Sequence, residues 1–219
     1  MHVTVLLPTY NEEENIGKMI DSIRSVSNKW DILVVDSGST DNTQKTAKEK
    51  NAKLIVVNKR GKGLAVKHAL DKIQSDYLII MDSDLTYPTS EIPNMLDILK
   101  NKKCDVVLGS RFKGRIEHGA MTFINKFGNK FLTMLAYLTY FRHVSDVCSG
   151  MWGFTRKAYK KMIIDAPHFE LEANFFVECI KNDFKLCEVP IAYRKRGGKT
   201  KLSIIDGLKI AGYLVRKRF

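Results

Sequence analysis

Along the first half of the chain, short unbroken apolar runs alternate with stretches in which apolar side chains recur every three or four positions. The run VTVLL, Val3 to Leu7, is continuous and β-branched, as a strand covered on both faces should be, and Pro8 ends it. In the following EEENIGKMIDSIRSV, Ile16, Ile20 and Ile23 fall at helical spacing, and three glutamates sit where the helix dipole favours negative charge. DILVVD predicts a second buried strand, followed by the turn SGSTDNT and a polar helix through Glu49. KLIVV predicts a third strand, GKGLAVKHALDKI a third helix and YLIIMD a fourth strand ending at Asp82. Beyond Glu91 come a helix, IPNMLDILKN, and a fifth strand, CDVVLGSRF.

The second half is less regular. It predicts a long helix from about Thr122 to Phe141, an irregular DVCSGMWGF stretch, a helix from about Leu171 to Asn182 and a final strand within CEVPIAYRKR. Strands alternating with helices at this spacing imply an α/β fold, a mostly parallel sheet with right-handed crossovers and helices on both faces. Ligands of such sheets gather at the carboxyl ends of the strands. Those ends carry Pro8 to Glu12, Asp36 to Asp41 and Asp82 to Asp84, which are expected to converge in one crevice. No linker or internal repeat divides the 219 residues, so the expectation is a single domain over 1–202 with a C-terminal helix over 203–219.

Charge adds a partner class. The net charge of +12 points to a polyanion, whether nucleic acid, an anionic bilayer or phosphorylated substrates. A nucleic-acid-binding protein is the reading from another class, but no helix-turn-helix, zinc finger or aromatic RNA-binding signature supports it. The four cysteines are far apart without a C-x-x-C pair, which argues against a zinc ribbon or redox dithiol and suits a reducing cytosol. No window holds the roughly 18 apolar residues a spanning helix requires, and the N-terminus opens into a strand, so a soluble or peripheral protein is expected.

Asp82-Ser83-Asp84, directly after YLIIM, is the sharpest chemical feature. Two carboxylates one residue apart at a strand end suit a hard divalent cation, Mg2+ or Mn2+, that also binds a diphosphate; an acidic turn is the plainer alternative. Arg111, just past the fifth strand, lies on the same rim and suits a phosphate.

Nine strings, LLPTYNEEENI, VVDSGSTDNT, NKRGKGLAVKHAL, IIMDSDLTYP, VLGSRF, NKFGNKFLTML, SDVCSGMWGFTRKAY, FELEANFF and EVPIAYRKRGGKTKLS, follow one another in an order that resembles family 2 glycosyltransferases. Within that family the chain is most similar to the polyprenyl-phosphate branch, with its dolichyl-phosphate mannose and glucose synthases. The resemblance implies a GT-A, Rossmann-like fold and inverting transfer from a nucleotide-sugar donor to a polyprenyl or dolichyl phosphate. A soluble or glycan acceptor is the alternative. It places Pro8, Tyr10, Glu12, Asp36, Lys62, Asp82 and Ser83 at the donor, with Asp36 against the base or ribose, and the metal on Asp82 and Asp84. Lys126, Asn129, Glu172, Arg194, Arg196, Lys199 and Lys201 fall to the acceptor and phosphates, with Arg111. Asp84, Arg111 and Asp146 are the catalytic candidates, Asp146 either as a base or as an orienting group. Where mannose synthases often carry a metal-ligating glutamine, this chain has Thr86, and its LTYP string looks more like users of UDP-sugars than of GDP-mannose.

Residues 131–141, FLTMLAYLTYF, are too short to span a bilayer; a core helix is the ordinary reading and an interfacial one the alternative. LSIIDGLKIAGYLVRKRF sets Ile204, Ile205, Leu208, Ile210, Leu214 and Val215 against a cationic cluster, the pattern of a helix lying on an anionic membrane. The implied location is cytoplasmic, peripheral at the inner face of the cell membrane.

Overall fold

The computed structural model describes residues 1–101, 103–197 and 203–218. One sheet contains β1 (Val3–Thr9), β2 (Asp31–Asp36), β3 (Lys53–Val56), β4 (Tyr77–Ile80), β5 (Val106–Ser110), β6 (Trp152–Thr155) and β7 (Leu186–Pro190). Their spatial order is β3-β2-β1-β4-β6-β5-β7. Neighbours are parallel except at β6, which runs antiparallel to both β4 and β5. The helices are α1 (Ile16–Val26), α2 (Thr43–Glu49), α3 (Lys62–Leu70), α4 (Ile92–Lys100), α5 (Phe123–Tyr140), α6 (Arg156–Lys161), α7 (Leu171–Lys181) and α8 (Ile204–Arg216).

The unbroken apolar runs are explained by two cores, one on each face of the sheet. Val3, Val5 and Leu7 of β1 face Ile16, Met19, Ile20 and Ile23 of α1 and the inner side of α4. Leu6, Leu78, Ile80 and Leu108 belong to the opposite core, filled by α3, α5, α7 and α8. Each aliphatic side chain buried this way contributes on the order of 1.5–3 kcal/mol.

Three elements depart from expectation. The stretch expected to be irregular contains β6, inserted between β4 and β5, and α6 follows it directly. The last strand stops at Pro190, and Tyr193 rejoins the sheet margin through an isolated bridge to Ile116. Cys104 and Cys187, far apart in the chain, are joined as a disulfide with Cα atoms 5.9 Å apart, a pairing their spacing gave no sign of and one a reducing cytosol would not favour.

The apolar run of α5 divides by face. Leu132, Ala136 and Tyr140 are buried, whereas Phe123, Ile124, Phe127, Phe131, Met134, Leu138 and Phe141 are exposed. On α8, Ile210, Tyr213 and Leu214 enter the core while Ile204, Ile205, Leu208 and Val215 stay outside. The Tyr140 hydroxyl donates to the Leu214 carbonyl at 2.9 Å, and Tyr213 and Lys217 both bind Asp165, which fixes the C-terminal half of α8. Among the described residues no helix is long and apolar enough to cross a membrane.

Candidate active site

The loops after β1 and β2 are tied to one another. Asn11, in the left-handed region at φ 47°, accepts from the Thr40 N–H at 2.9 Å, and its own N–H donates to Ser39 Oγ at 2.8 Å. Asparagine tolerates that backbone region better than most residues. Asp36 holds the second loop: one carboxylate oxygen accepts from the N–H groups of Gly38 and Ser39 and from Gln44 Nε2, the other from Ser39 Oγ.

After β4 the chain turns sharply at Leu85, whose φ of 67° is unusual for a branched side chain. That turn folds Thr86 back so that its N–H and Oγ1 both donate to Asp84, at 3.1 and 2.6 Å. Thr86 thus braces Asp84. Asp82 lies flat against Gly150, where a Cβ atom would come within 2.2 Å of its carboxylate oxygen.

Two partly buried cations meet the acidic pair. Lys62, at the start of α3, bridges Asp82 and Glu172 of α7. It is presented there because Gly63 passes so close to the Ala166 carbonyl that a Cβ would lie 1.7 Å from the oxygen. Arg196 bridges Glu12 and Asp84, at 2.8 Å from the latter, while its Nε is buried with no acceptor among the described residues. The segment carrying Arg196 is docked by the Arg194 N–H on the Thr86 carbonyl at 2.9 Å and by Asn15 Nδ2 on the Gly197 carbonyl at 3.0 Å. Burial and the Asp82 charge raise the Asp84 pKa, with Arg196 and Thr86 pulling it back. Burial also raises Glu172, offset in part by Lys62. For Lys62, burial opposes the charged form, but Asp82 and Glu172 outweigh it and hold the ammonium well above its ordinary value.

Arg111 is buried against Asp146, and its guanidinium lies 5.3 Å from the ring centre of Tyr193. Tyr193 meets Tyr87 edge-on at 5.2 Å, and the Tyr87 hydroxyl accepts the Gly150 N–H. Farther out, Arg60 stacks over the Tyr10 ring at 4.6 Å.

Many of these groups line one cavity of about 850 Å3. Its wall combines Pro8, Tyr10, Glu12, Lys62, Asp82, Ser83, Asp84, Arg111, Glu172 and Arg196 with Asn129 and apolar residues of α5 and α8. Four residues expected at substrate do not line it. Asp36 is buried in its turn and Ser37 takes the wall position; Asp146 lies behind Arg111; Lys126 and Arg194 point to solvent. Lys199 and Lys201 lie outside the described residues. Sequence reasoning missed Arg60, Tyr87, Tyr193 and His168 on the wall. Arg60 adjoins the GKG string and Tyr87 follows the acidic motif, which was the available signal.

The acidic pair suits a divalent cation that keeps substrate oxygens as ligands. Among the described residues no group of three or more His, Cys, Asp or Glu forms a protein-only cage, and Mg2+ in particular is commonly held by one or two carboxylates plus phosphate. The orphaned Arg196 Nε beside it is a donor suited to a phosphate oxygen.

A mostly parallel sheet with an acidic motif at its strand tips, and a cavity opening from that motif, defines a protein of the GT-A class. Residues 4–163 match the model of Glycosyl transferase family 2, and the chain belongs to that family. It is 36% identical over 209 residues to glycosyltransferase AglJ of Haloferax volcanii, spanning 94% of this chain and 68% of that one. It is 32% identical over 212 residues to a dolichyl-phosphate hexose transferase of the same organism, spanning 94% and 88%. Glucosyl-3-phosphoglycerate synthase of Mycobacterium tuberculosis, crystallised with Mn2+, UDP-glucose and phosphoglyceric acid, shares the fold with a TM-score of 0.79 at 19% identity, over 99% of this chain and 79% of that one.

Proposed function

We propose that this chain transfers a hexose or N-acetylhexosamine from a nucleoside diphosphate sugar, a UDP-sugar in preference to GDP-mannose, to a polyprenyl or dolichyl phosphate at a membrane surface. The observation that carries the reading is a single cavity whose wall combines carboxylates and partly or fully buried cations with apolar residues of α5 and α8. A polar donor and an acceptor with an ionised head and a hydrocarbon tail match that mixed lining. The similarity to a dolichyl-phosphate hexose transferase supports the same acceptor.

In this reading an acceptor phosphate oxygen attacks the anomeric carbon, and the bond to the nucleoside diphosphate breaks with inversion. Asp82 and Asp84 would hold a divalent cation, which would supply charge neutralisation to the leaving diphosphate. Arg196 and Lys62 offer donors to the same charge, and Arg111 holds a guanidinium toward the acceptor phosphate. A phosphate monoester is largely ionised near neutral pH, its second pKa being about 6, so the nucleophile needs no protein base. Asp146 accordingly acts by orienting Arg111.

The experiment pairs a thermal-shift panel of UDP- and GDP-sugars with Mn2+ or Mg2+ and an assay of labelled sugar passing into solvent-extractable dolichyl phosphate. Asp84→Ala should abolish transfer while keeping its circular dichroism. Transfer to a water-soluble acceptor in preference to the lipid, or full activity of Asp84→Ala with metal present, overturns the reading.

A further inference from the structure

Each carboxylate of the Asp82/Asp84 pair already has a cation of the protein's own. Lys62 Nζ sits between Asp82 and Glu172, and the Arg196 guanidinium between Asp84 and Glu12. All six side chains are at least partly shielded from water, so the charges are screened less than surface ions would be. A divalent cation arriving alone would meet two carboxylates whose charge is already answered, and two positive groups beside them. A nucleoside diphosphate changes that balance, because it brings negative oxygens to which both cations can turn.

Arg196 is poised for such a turn. Its Nη atoms hold Glu12 and Asp84, yet its Nε is buried with no acceptor among the described residues, a donor left unsatisfied at a real cost in the resting protein. The backbone on either side is held independently of the side chain, through the Arg194 N–H on Thr86 and the Gly197 carbonyl on Asn15. The guanidinium can therefore change partner without undocking its segment.

We propose that Lys62 and Arg196 are resident counter-ions of the acidic pair, so that metal and nucleoside diphosphate bind as one: each carboxylate gives up its internal cation to receive the metal, and the two side chains pass to the diphosphate. The inference rests on the reading of the site as a metal and nucleotide-sugar site, and it adds that the metal alone is excluded by the protein's own charges. Coupling of this kind is reciprocal, so the nucleotide alone also binds weakly.

The test measures Mn2+ binding by the free-ion paramagnetic resonance signal, with no sugar donor or acceptor present. It compares wild type, Arg196→Gln, Lys62→Met and Arg60→Gln, each with and without UDP or GDP. In wild type the nucleotide should tighten Mn2+ by about tenfold or more, within the usual range of coupling between sites. Arg196→Gln and Lys62→Met should each bind Mn2+ alone about tenfold more tightly and show a smaller tightening by nucleotide, the size of a single coupling step. Arg60→Gln removes a cation from the same cavity wall that is stacked on Tyr10, and should leave Mn2+ alone within about twofold, as a change outside the coupled pairs does.

Mn2+ affinity in wild type that is indifferent to nucleotide overturns the exchange, whether or not any variant folds. So does unchanged or weaker Mn2+ binding in both folded counter-ion variants, or an equal gain in Arg60→Gln, which would reduce the effect to the general field of the cavity. Failure of wild type to bind either nucleotide with Mn2+ sinks the proposed function itself; normal coupling that the variants do not alter sinks only the exchange.

Discussion

Arg111 donates from Nε and Nη2 to the two carboxylate oxygens of Asp146, each at 2.7 Å, and its backbone N–H adds a third bond to the same carboxylate at 3.0 Å. With Asp146 fully buried and Arg111 nearly so, the pair is a fixed strut behind the cavity wall. Removing one partner leaves the other charge buried alone, which typically costs about 3–5 kcal/mol. Asp146→Ala should lose stability of about that size in urea titrations, whereas a double replacement of both residues by apolar ones should lose much less. In Asp146→Asn, kcat/KM should fall with the shape of its pH profile unchanged. Disappearance of an acidic limb would instead make Asp146 a base.

Gly150 leaves room for the Asp82 carboxylate. A methyl group there would lie 2.2 Å from Oδ2 and 2.7 Å from Cγ, so Gly150→Ala must swing Asp82 out of place. Misplacement of a reacting or binding group by an ångström costs about a hundredfold in rate, and kcat/KM should drop on that scale. Circular dichroism should stay near wild type. A fully active Gly150→Ala would show that the position of Asp82 is not critical.

On α5 and α8, Phe127 and Leu208 line the cavity yet are exposed at 66% and 69%, among other large apolar groups, with Lys126, Lys130, Lys209 and Arg216 nearby in the chain. An apolar face with cationic flanks should bind anionic vesicles in a salt-sensitive way. Phe127→Asp together with Leu208→Asp should cut sedimentation with phosphatidylglycerol-containing liposomes at least about tenfold, since each buried large apolar side chain is worth on the order of 1.5–3 kcal/mol. Retention of binding by the double variant would move the docking face elsewhere.

Asp165 anchors the far end of α8. Burial alone would raise its pKa, but hydrogen bonds from Lys217 and Tyr213 outweigh that and hold it below the ordinary 3.8. A carboxyl with a lower pKa in the folded than in the unfolded chain stabilises the fold above the unfolded value, and that contribution fades as pH falls through the folded value. Hydrogen exchange over 210–216 should therefore quicken as pH drops below about 4, after correction for the intrinsic rate. Asp165→Asn should exchange faster at neutral pH and lack that acid step. Identical protection in the variant would count against the anchor.

The five strands from Val3 to Ser110 were legible because each is a short, nearly continuous apolar run bounded by polar residues, and most are followed closely by a helix. Much of the cavity wall was legible for a related reason: Tyr10, Glu12, Lys62, Asp82, Asp84 and Arg111 all sit within a few residues of a strand or helix end. β6 was not, because WGFT is four residues long and begins just after Ser149 and Gly150, which read as loop. The turn-closing bonds of Asp36 were not legible, because an aspartate bound to Gly38 and Ser39 has the same local string as one facing a ligand. The division of α5 between core and solvent was hidden as well, since its apolar residues run around most of the helix and only its neighbours α7 and α8 decide which are covered.

β6 enters the sheet from the side at which its antiparallel neighbours β4 and β5 leave it. Trp152 therefore lies beside Ile80, and the chain from Asp146 to Met151 crosses the rim before its strand begins, not after. Loops that follow a parallel strand can lengthen outward without disturbing what precedes them. This one is clamped between a buried ion pair and two registers, so an inserted residue would push Gly150 off Asp82, slip β6 against β4 and β5, or do both. Variation in substrate should accordingly be accommodated on the α5 and α8 side of the cavity, while this floor stays constant in length.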